Sequence, residues 1–126
     1  MNCTILVVDD SATVRKIVTL SLSMQGFQVV SACDGMDALE KLPAEKVDLV
    51  ITDLNMPNMD GYEFIKTLRE SSQYKDLPVI ILSSLSDQVS RDLGLKAGAH
   101  SYLVKPFSIE KVQYEVAKYI SWAEEE

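Results

Sequence analysis

Basic residues are scarce in this chain: 12 Lys and Arg stand against 19 Asp and Glu, for a net charge of −7. A surface of that sign repels phosphate backbones, so nucleic acid is not expected as a direct partner. Long apolar runs are also missing. No stretch approaches the roughly 18 residues a membrane span needs, and membrane insertion is not expected. The start, Met1-Asn2-Cys3-Thr4, has neither a basic region nor a cleavage site and runs straight into a strand-like segment, which argues against a signal peptide. Cysteine is limited to Cys3 and Cys33, too few for a disulfide scaffold. Both sit in or beside predicted strands and are expected to be reduced, core-side thiols of a cytoplasmic protein. No repeat, linker or low-complexity segment is evident.

What is present fits one domain over residues 1–126, with a core from about residue 3 to residue 122. Its 47% apolar and 25% charged content is that of an ordinary soluble chain long enough to build a core without disulfides. Strand and helix patterns alternate. Ile5-Leu6-Val7-Val8 is a continuous apolar run, as in a strand buried on both faces. Ser11 can cap a helix that places Val14, Ile17, Val18 and Leu22 on one face and ends at Gly26. Phe27 to Ala32 reads as a second strand. Asp34-Gly35-Met36-Asp37 opens a second helix with Ala38, Leu39 and Leu42 inward, closed by Pro43.

Val47 to Thr52 reads as a third strand, followed by a turn from Asn55 to Gly61. Asp60 and Glu63 start a helix that buries Phe64, Ile65 and Leu68, and the polar residues 71–76 form a loop. Pro78 to Leu82 is a fourth strand, and Asp87 starts a helix ending near Ala97-Gly98. Ser101 to Val104 is a fifth strand. Ser108 caps a last helix with Ile109, Val112, Val116 and Ile120 on one side, and the tail Glu124-Glu125-Glu126 is expected to fray. Five such units imply an α/β fold, a parallel sheet covered by helices on both faces. Right-handed crossovers then bring every strand's carboxyl end to one edge, where ligands bind.

The polar residues at those strand ends are Asp9 and Asp10, Asp53, Ser83 and Ser84, and Lys105. Three carboxylates in one crevice repel each other, and a divalent cation resolves the conflict. Hard oxygen ligands favour Mg²⁺ or Ca²⁺, and a site with few carboxylates leaves room for water or phosphate oxygens, which suits Mg²⁺. Taken alone, Asp9-Asp10 reads as a helix-cap pair facing water, Lys105 as a loop lysine, Ser83 as a hydroxyl closing a strand, and Tyr102 as a half-buried aromatic. Their shared edge is what turns them into a site. Lys105 precedes Pro106, and a cis bond there would fix the lysine's direction.

These residues resemble a known family. Val7-Val8-Asp9-Asp10-Ser11, the run Asp53-Leu54-Asn55-Met56-Pro57-Asn58-Met59-Asp60-Gly61, Leu82-Ser83-Ser84, Gly98-Ala99 and Lys105-Pro106-Phe107 are similar to the motifs of bacterial response-regulator receiver domains, CheY-like single-domain proteins in particular. Each piece is weak alone; five in this order are specific. The resemblance implies a flavodoxin-like (βα)5 three-layer sandwich with strand order 2-1-3-4-5. It also implies that Asp53 accepts a phosphoryl group from a histidine kinase. Asp9, Asp10 and Asp53, with the Asn55 backbone carbonyl, would hold Mg²⁺. Ser83 would hydrogen-bond the phosphoryl group, Lys105 would pair with it, and Tyr102 would be the switch aromatic.

The chain would then be a phosphoacceptor switch in a two-component phosphorelay, not a turnover enzyme. It would alter its helix 4–strand 5–helix 5 face for a downstream protein such as a motor switch or chemotaxis component. The run Asp10 to Lys16 resembles chemotaxis-type receivers. The last helix ends near the chain's end, so no output module is expected within it. Leu85, two residues beyond Ser83, cannot hydrogen-bond an attacking water, which points to modest unaided dephosphorylation.

Three rivals differ in chemistry. A phosphate sink would share every site residue. An Asp-nucleophile phosphatase needs an acid two residues after the nucleophile, where Asn55 stands. An FMN carrier needs a Ser/Thr/Gly-rich loop after strand one, where two acids stand.

Overall fold

A computed structural model describes residues 3–120. Five parallel strands, β1 (Thr4–Val8), β2 (Gln28–Ala32), β3 (Leu49–Thr52), β4 (Val79–Ser83) and β5 (Ser101–Val104), form one sheet in the order β2-β1-β3-β4-β5. Between and after them run α1 (Ala12–Ser23), α2 (Gly35–Lys41), α3 (Gly61–Glu70), α4 (Gln88–Ala97) and α5 (Ile109–Ala117). This is the expected flavodoxin-like arrangement. The expected tail at Glu124–Glu126 lies outside the described residues. Among the described residues, no helix is long and apolar enough to cross a membrane.

Alternation along the strands sorts side chains into two cores. Ile5 and Val7 of β1 join Val18 and Leu22 of α1 and Val112 and Val116 of α5 on one face. Leu6 and Val8 join Leu42, Phe64, Ile65 and Leu68 on the other. β1, β3 and β4 are buried along their whole length because neighbours flank them in the sheet and helices cover both faces. At the sheet's edge, β2 has only Ala32 fully inside.

Side-chain caps start each helix. Ser11 accepts from the Val14 amide, Asp34 from Asp37, Asp60 from Glu63, Asp87 from Ser90 and Ser108 from Lys111. Two helix faces differ from the expected stripes. On α1 the buried positions are Val18, Ser21 and Leu22, while Ile17 is 44% exposed. Ser21 tolerates burial because its hydroxyl donates to the Val18 carbonyl at 3.1 Å. On α5, Ile109 stands in the first turn and is exposed, whereas Glu115 lies in the buried stripe with its carboxylate on Lys118 at 2.9 Å. α1 stops at Ser23, and Gly26, with φ 96°, turns the chain toward β2. Pro43 lies in a 3-10 turn, Leu42–Ala44, that extends the end of α2.

Cys3 is buried as expected, but Cys33 is exposed. β2 ends at Ala32, so Cys33 falls in the bend beyond the sheet instead of on its core face. Far from the strand ends that carry the acids, Arg69 of α3 fastens the end of α4. Its Nε and Nη2 donate to the Gly98 carbonyl at 3.1 and 2.7 Å, and its Nη1 donates to the Tyr74 carbonyl at 3.0 Å.

Candidate phosphoacceptor site

The sheet register places the acids. Val8 pairs with Thr52, so the next residues, Asp9 and Asp53, leave adjacent strands side by side. The Asp53 amide donates to the Val8 carbonyl at 2.9 Å, and the Asp9 amide donates to Ala32 at 3.1 Å. Both carboxylates are largely buried, and Asp10 is exposed. One carboxylate oxygen from each of Asp9, Asp10 and Asp53 lies within 4.8 Å of the others.

Lys105 enters the same crevice from the end of β5. Its Nζ lies 2.9 Å from Asp9 Oδ2 and 3.4 Å from Asp53 Oδ2. Its backbone amide donates to the Ser83 carbonyl at 2.8 Å, which ties the ends of β4 and β5 together. The Lys105–Pro106 bond is cis. Each buried acid also has an oxygen held by backbone: Asp9 Oδ1 accepts from the Ser11 amide at 2.9 Å and Asp53 Oδ1 from the Leu54 amide at 2.7 Å.

The electrostatics are those of an anionic notch whose three acids outnumber its one lysine. Burial raises the Asp53 pKa, and the Asp9 charge raises it further. Lys105 and the Leu54 amide oppose the rise without cancelling it. For Lys105, burial pulls the pKa down, but the Asp9 hydrogen bond and the charges of Asp53 and Asp9 outweigh it, so the ammonium is held above its ordinary value. Three hard oxygen donors with one lysine leave a net negative cluster, the donor chemistry that suits Mg²⁺.

The other expected site residues lie around this notch. Asn55 is exposed in the loop between β3 and α3. Ser83 is buried, and its Oγ accepts from the Leu85 amide at 3.1 Å. Ser84 is exposed. Tyr102 stands apart: it pairs in register with Ile81, and its hydroxyl donates to the Leu85 carbonyl at 2.6 Å. The Arg91 guanidinium lies over its ring, 5.3 Å from the centroid.

Two contributors were not anticipated from sequence. Arg15 Nη1 donates to the Asp9 carbonyl at 2.6 Å, from the second turn of α1. Gly61 packs so tightly behind Asp53 that an added Cβ would meet the Asp53 carbonyl oxygen and come within 2.8 Å of Leu54 Cα. The first has a faint signal, a basic residue one to two turns after an acid at a strand end. The second is legible only as a glycine opening a helix.

Comparisons with known proteins identify relatives by sequence and by fold. A probable transcriptional regulator, ycf27, from Porphyridium aerugineum is 44% identical over 112 residues, 89% of this chain and 45% of that protein. The alkaline phosphatase synthesis transcriptional regulatory protein PhoP of Bacillus subtilis is 38% identical over 116 residues, 92% of this chain and 48% of that protein. The chain thus spans under half the length of these curated relatives. Among solved structures, the Vibrio cholerae chemotaxis protein CheY4 superposes with a TM-score of 0.90 at 36% identity, covering 95% of this chain and all of that one. The receiver domain of the Pseudomonas aeruginosa sensor histidine kinase PA1611, solved with a magnesium ion coordinated in its active-site cleft, has a TM-score of 0.88 at 26% identity, covering 96% of this chain and 99% of that one. Residues 5–117 match the response regulator receiver domain, and the chain belongs to that family of two-component regulatory switches.

Proposed function

We propose that Asp53 accepts a phosphoryl group from a histidine kinase and that the modified domain presents an altered surface to a partner protein. The observation that carries this reading is the placement of Asp53 beside Asp9, with one lysine ammonium within 3.4 Å of both. An Asp53 oxygen attacks phosphorus in line, the new P–O bond replaces the P–N bond of the phosphohistidine, and the imidazole leaves with the electron pair. Burial restricts the carboxylate's freedom, and the Leu54 amide orients it. Lys105 neutralises the incoming phosphoryl oxygens, and the Ser83 hydroxyl donates to one of them. Asp9, Asp10, Asp53 and the Asn55 carbonyl would hold Mg²⁺, which supplies further charge neutralisation.

New acceptor oxygens at Asp53 draw Ser83 and Lys105 toward them. Leu85 connects that movement to Tyr102, because its amide donates to Ser83 and its carbonyl accepts from Tyr102. The surface formed by α4, β5 and α5 then shifts between states that already coexist, by as much as phosphorylation favours one over the other. The chain catalyses only its own phosphotransfer and slow self-dephosphorylation. The downstream partner is a protein, such as a motor switch or chemotaxis component. The net charge of −7 disfavours direct contact of these residues with nucleic acid. A phosphohistidine donor formed from ATP places the reaction in the cytoplasm.

Mass spectrometry after incubation with acetyl phosphate and Mg²⁺ tests the reading. One added phosphoryl group is expected, lost in Asp53→Asn and in EDTA; an unmodified wild-type chain would refute it. A pull-down with phosphorylated and unphosphorylated protein separates a switch from a phosphate sink.

A further inference from the structure

The end of β2 touches the acidic notch at Asp9, and the turn that follows touches the loop beyond Asp53. Ala32, the last residue of the strand, accepts the Asp9 amide. Two residues on, the buried Asp34 reaches the loop that follows Asp53. Its Oδ1 accepts from the Asp37 amide at 2.9 Å, and its Oδ2 accepts from Asn58 Nδ2 at 2.8 Å. Next to it, the Gly35 amide donates to the Met59 carbonyl at 3.2 Å, and the Met59 side chain fills the space a Cβ on Gly35 would need. Asp34 therefore caps α2 with one oxygen and grips the β3–α3 loop with the other.

The gripped loop has a demanding backbone. Asn58 has φ 65°, the left-handed region that asparagine tolerates better than most residues. The Met59 amide donates back to Pro57 at 2.6 Å, and the Gly61 amide donates to Leu54 at 2.9 Å, closing the base of the loop. Asn55 lies between that closed base and the gripped tip. A backbone carbonyl can serve as a cation ligand only if the chain carrying it is held, and an exposed loop is otherwise costly to order.

We infer that Asp34 and Asn58 are positioning residues that clasp the β3–α3 loop and pre-order the Asn55 carbonyl for the divalent cation. This rests on the proposed Mg²⁺ site and goes beyond it. Neither residue touches the reacting atoms. The clasp acts by lowering the cost of ordering the loop when the cation binds, so its loss weakens cation affinity more than it weakens the fold.

Two variants isolate the clasp. Asn58→Gly keeps access to positive φ and removes the amide. Asp34→Ser keeps a competent cap for α2 but is too short to reach Asn58. Isothermal titration with MgCl₂ should show each weakening the dissociation constant about tenfold, the low end of what outer-shell partners contribute. The double variant should be no weaker than the worse single one, because both remove the same bond. The melting temperature in EDTA serves as the control for a merely structural role, and it should fall by similar small amounts in all three. Variant affinities within twofold of wild type, or losses that multiply in the double variant, would overturn the clasp while leaving the cation site standing. A wild-type chain that binds no Mg²⁺ would overturn the site and the clasp together.

Discussion

Replacing Lys105 by methionine keeps an unbranched stem and removes the one ammonium between Asp9 and Asp53. At an effective dielectric constant of about 20, a charge 2.9 and 3.4 Å from two carboxylates contributes about 5 kcal/mol of gross attraction to each. The desolvation of a lysine with only 19% side-chain exposure offsets much of this. An upper bound comes from chemistry. The bare pair can always be relieved by protonating one acid, and from an ordinary carboxyl pKa of 3.8 that costs about 4 kcal/mol at pH 7. With Asp10 exposed to solvent beside the pair, a net loss of about 2–4 kcal/mol follows, or a melting temperature roughly 6–15 °C lower for a chain of this size. The assay is calorimetric melting at pH 7, in EDTA and again in excess MgCl₂. The deficit should be large in EDTA and shrink in MgCl₂, because a bound cation replaces the missing charge. Mg²⁺ itself should bind more tightly to Lys105→Met, since a neighbouring positive charge is gone. Equal melting temperatures in EDTA, or the same deficit in both buffers, would show that the lysine does not balance these acids.

His100 predicts a slope on the acid side. Burial and the Arg69 charge lower its pKa, and its Nδ1 accepts from the Val79 amide at 3.2 Å, which an imidazolium could not do. The unfolded chain therefore binds the proton more readily. The stabilisation is complete above the unfolded value of 6.5 and declines as pH falls below it, so wild type should lose urea midpoint there while His100→Gln stays flatter. Parallel midpoint curves from pH 5 to 8 would contradict this. Gly61→Ala forces a Cβ toward the Asp53 and Leu54 backbone; about 1–3 kcal/mol of stability and most acetyl-phosphate labelling should go, and wild-type melting with wild-type labelling would count against the packing argument. The Cys33 thiol pKa is raised by local desolvation and by Asp34 and Asp37. Alkylation by iodoacetamide at pH 8 should thus be slower than for a cysteine peptide and faster in Asp37→Asn, and rates insensitive to Asp37 would remove those charges as the cause.

Local signals carried most of the fold. The caps at Ser11, Asp34, Asp60, Asp87 and Ser108 were legible because a cap bonds within three residues of itself. The acids at Asp9 and Asp53 and the lysine at 105 were legible because parallel crossovers gather strand ends at one edge. Ile17 was misread since periodicity alone cannot tell that Ser21 satisfies its own hydroxyl and takes the buried place. Cys33 was misread because strand ends are uncertain by a residue or two, and one residue decides between core and solvent. The second oxygen of Asp34 was invisible for a different reason. Its partner is 24 residues away, and no spacing rule reaches that far.

Arg69 gives α4 unequal ends. Two guanidinium bonds hold the chain where the helix finishes, at Gly98, and a third ties the same side chain to Tyr74, whereas the helix's beginning at Asp87 follows directly from the segment beyond Ser83 and Leu85. A rod hinged at one tip swings most at the other. A small pull on Ser83 should therefore be magnified along Gln88, Val89 and Asp92 while Lys96 scarcely moves, so amide shifts on activation should grade along the helix from its first turn to its last.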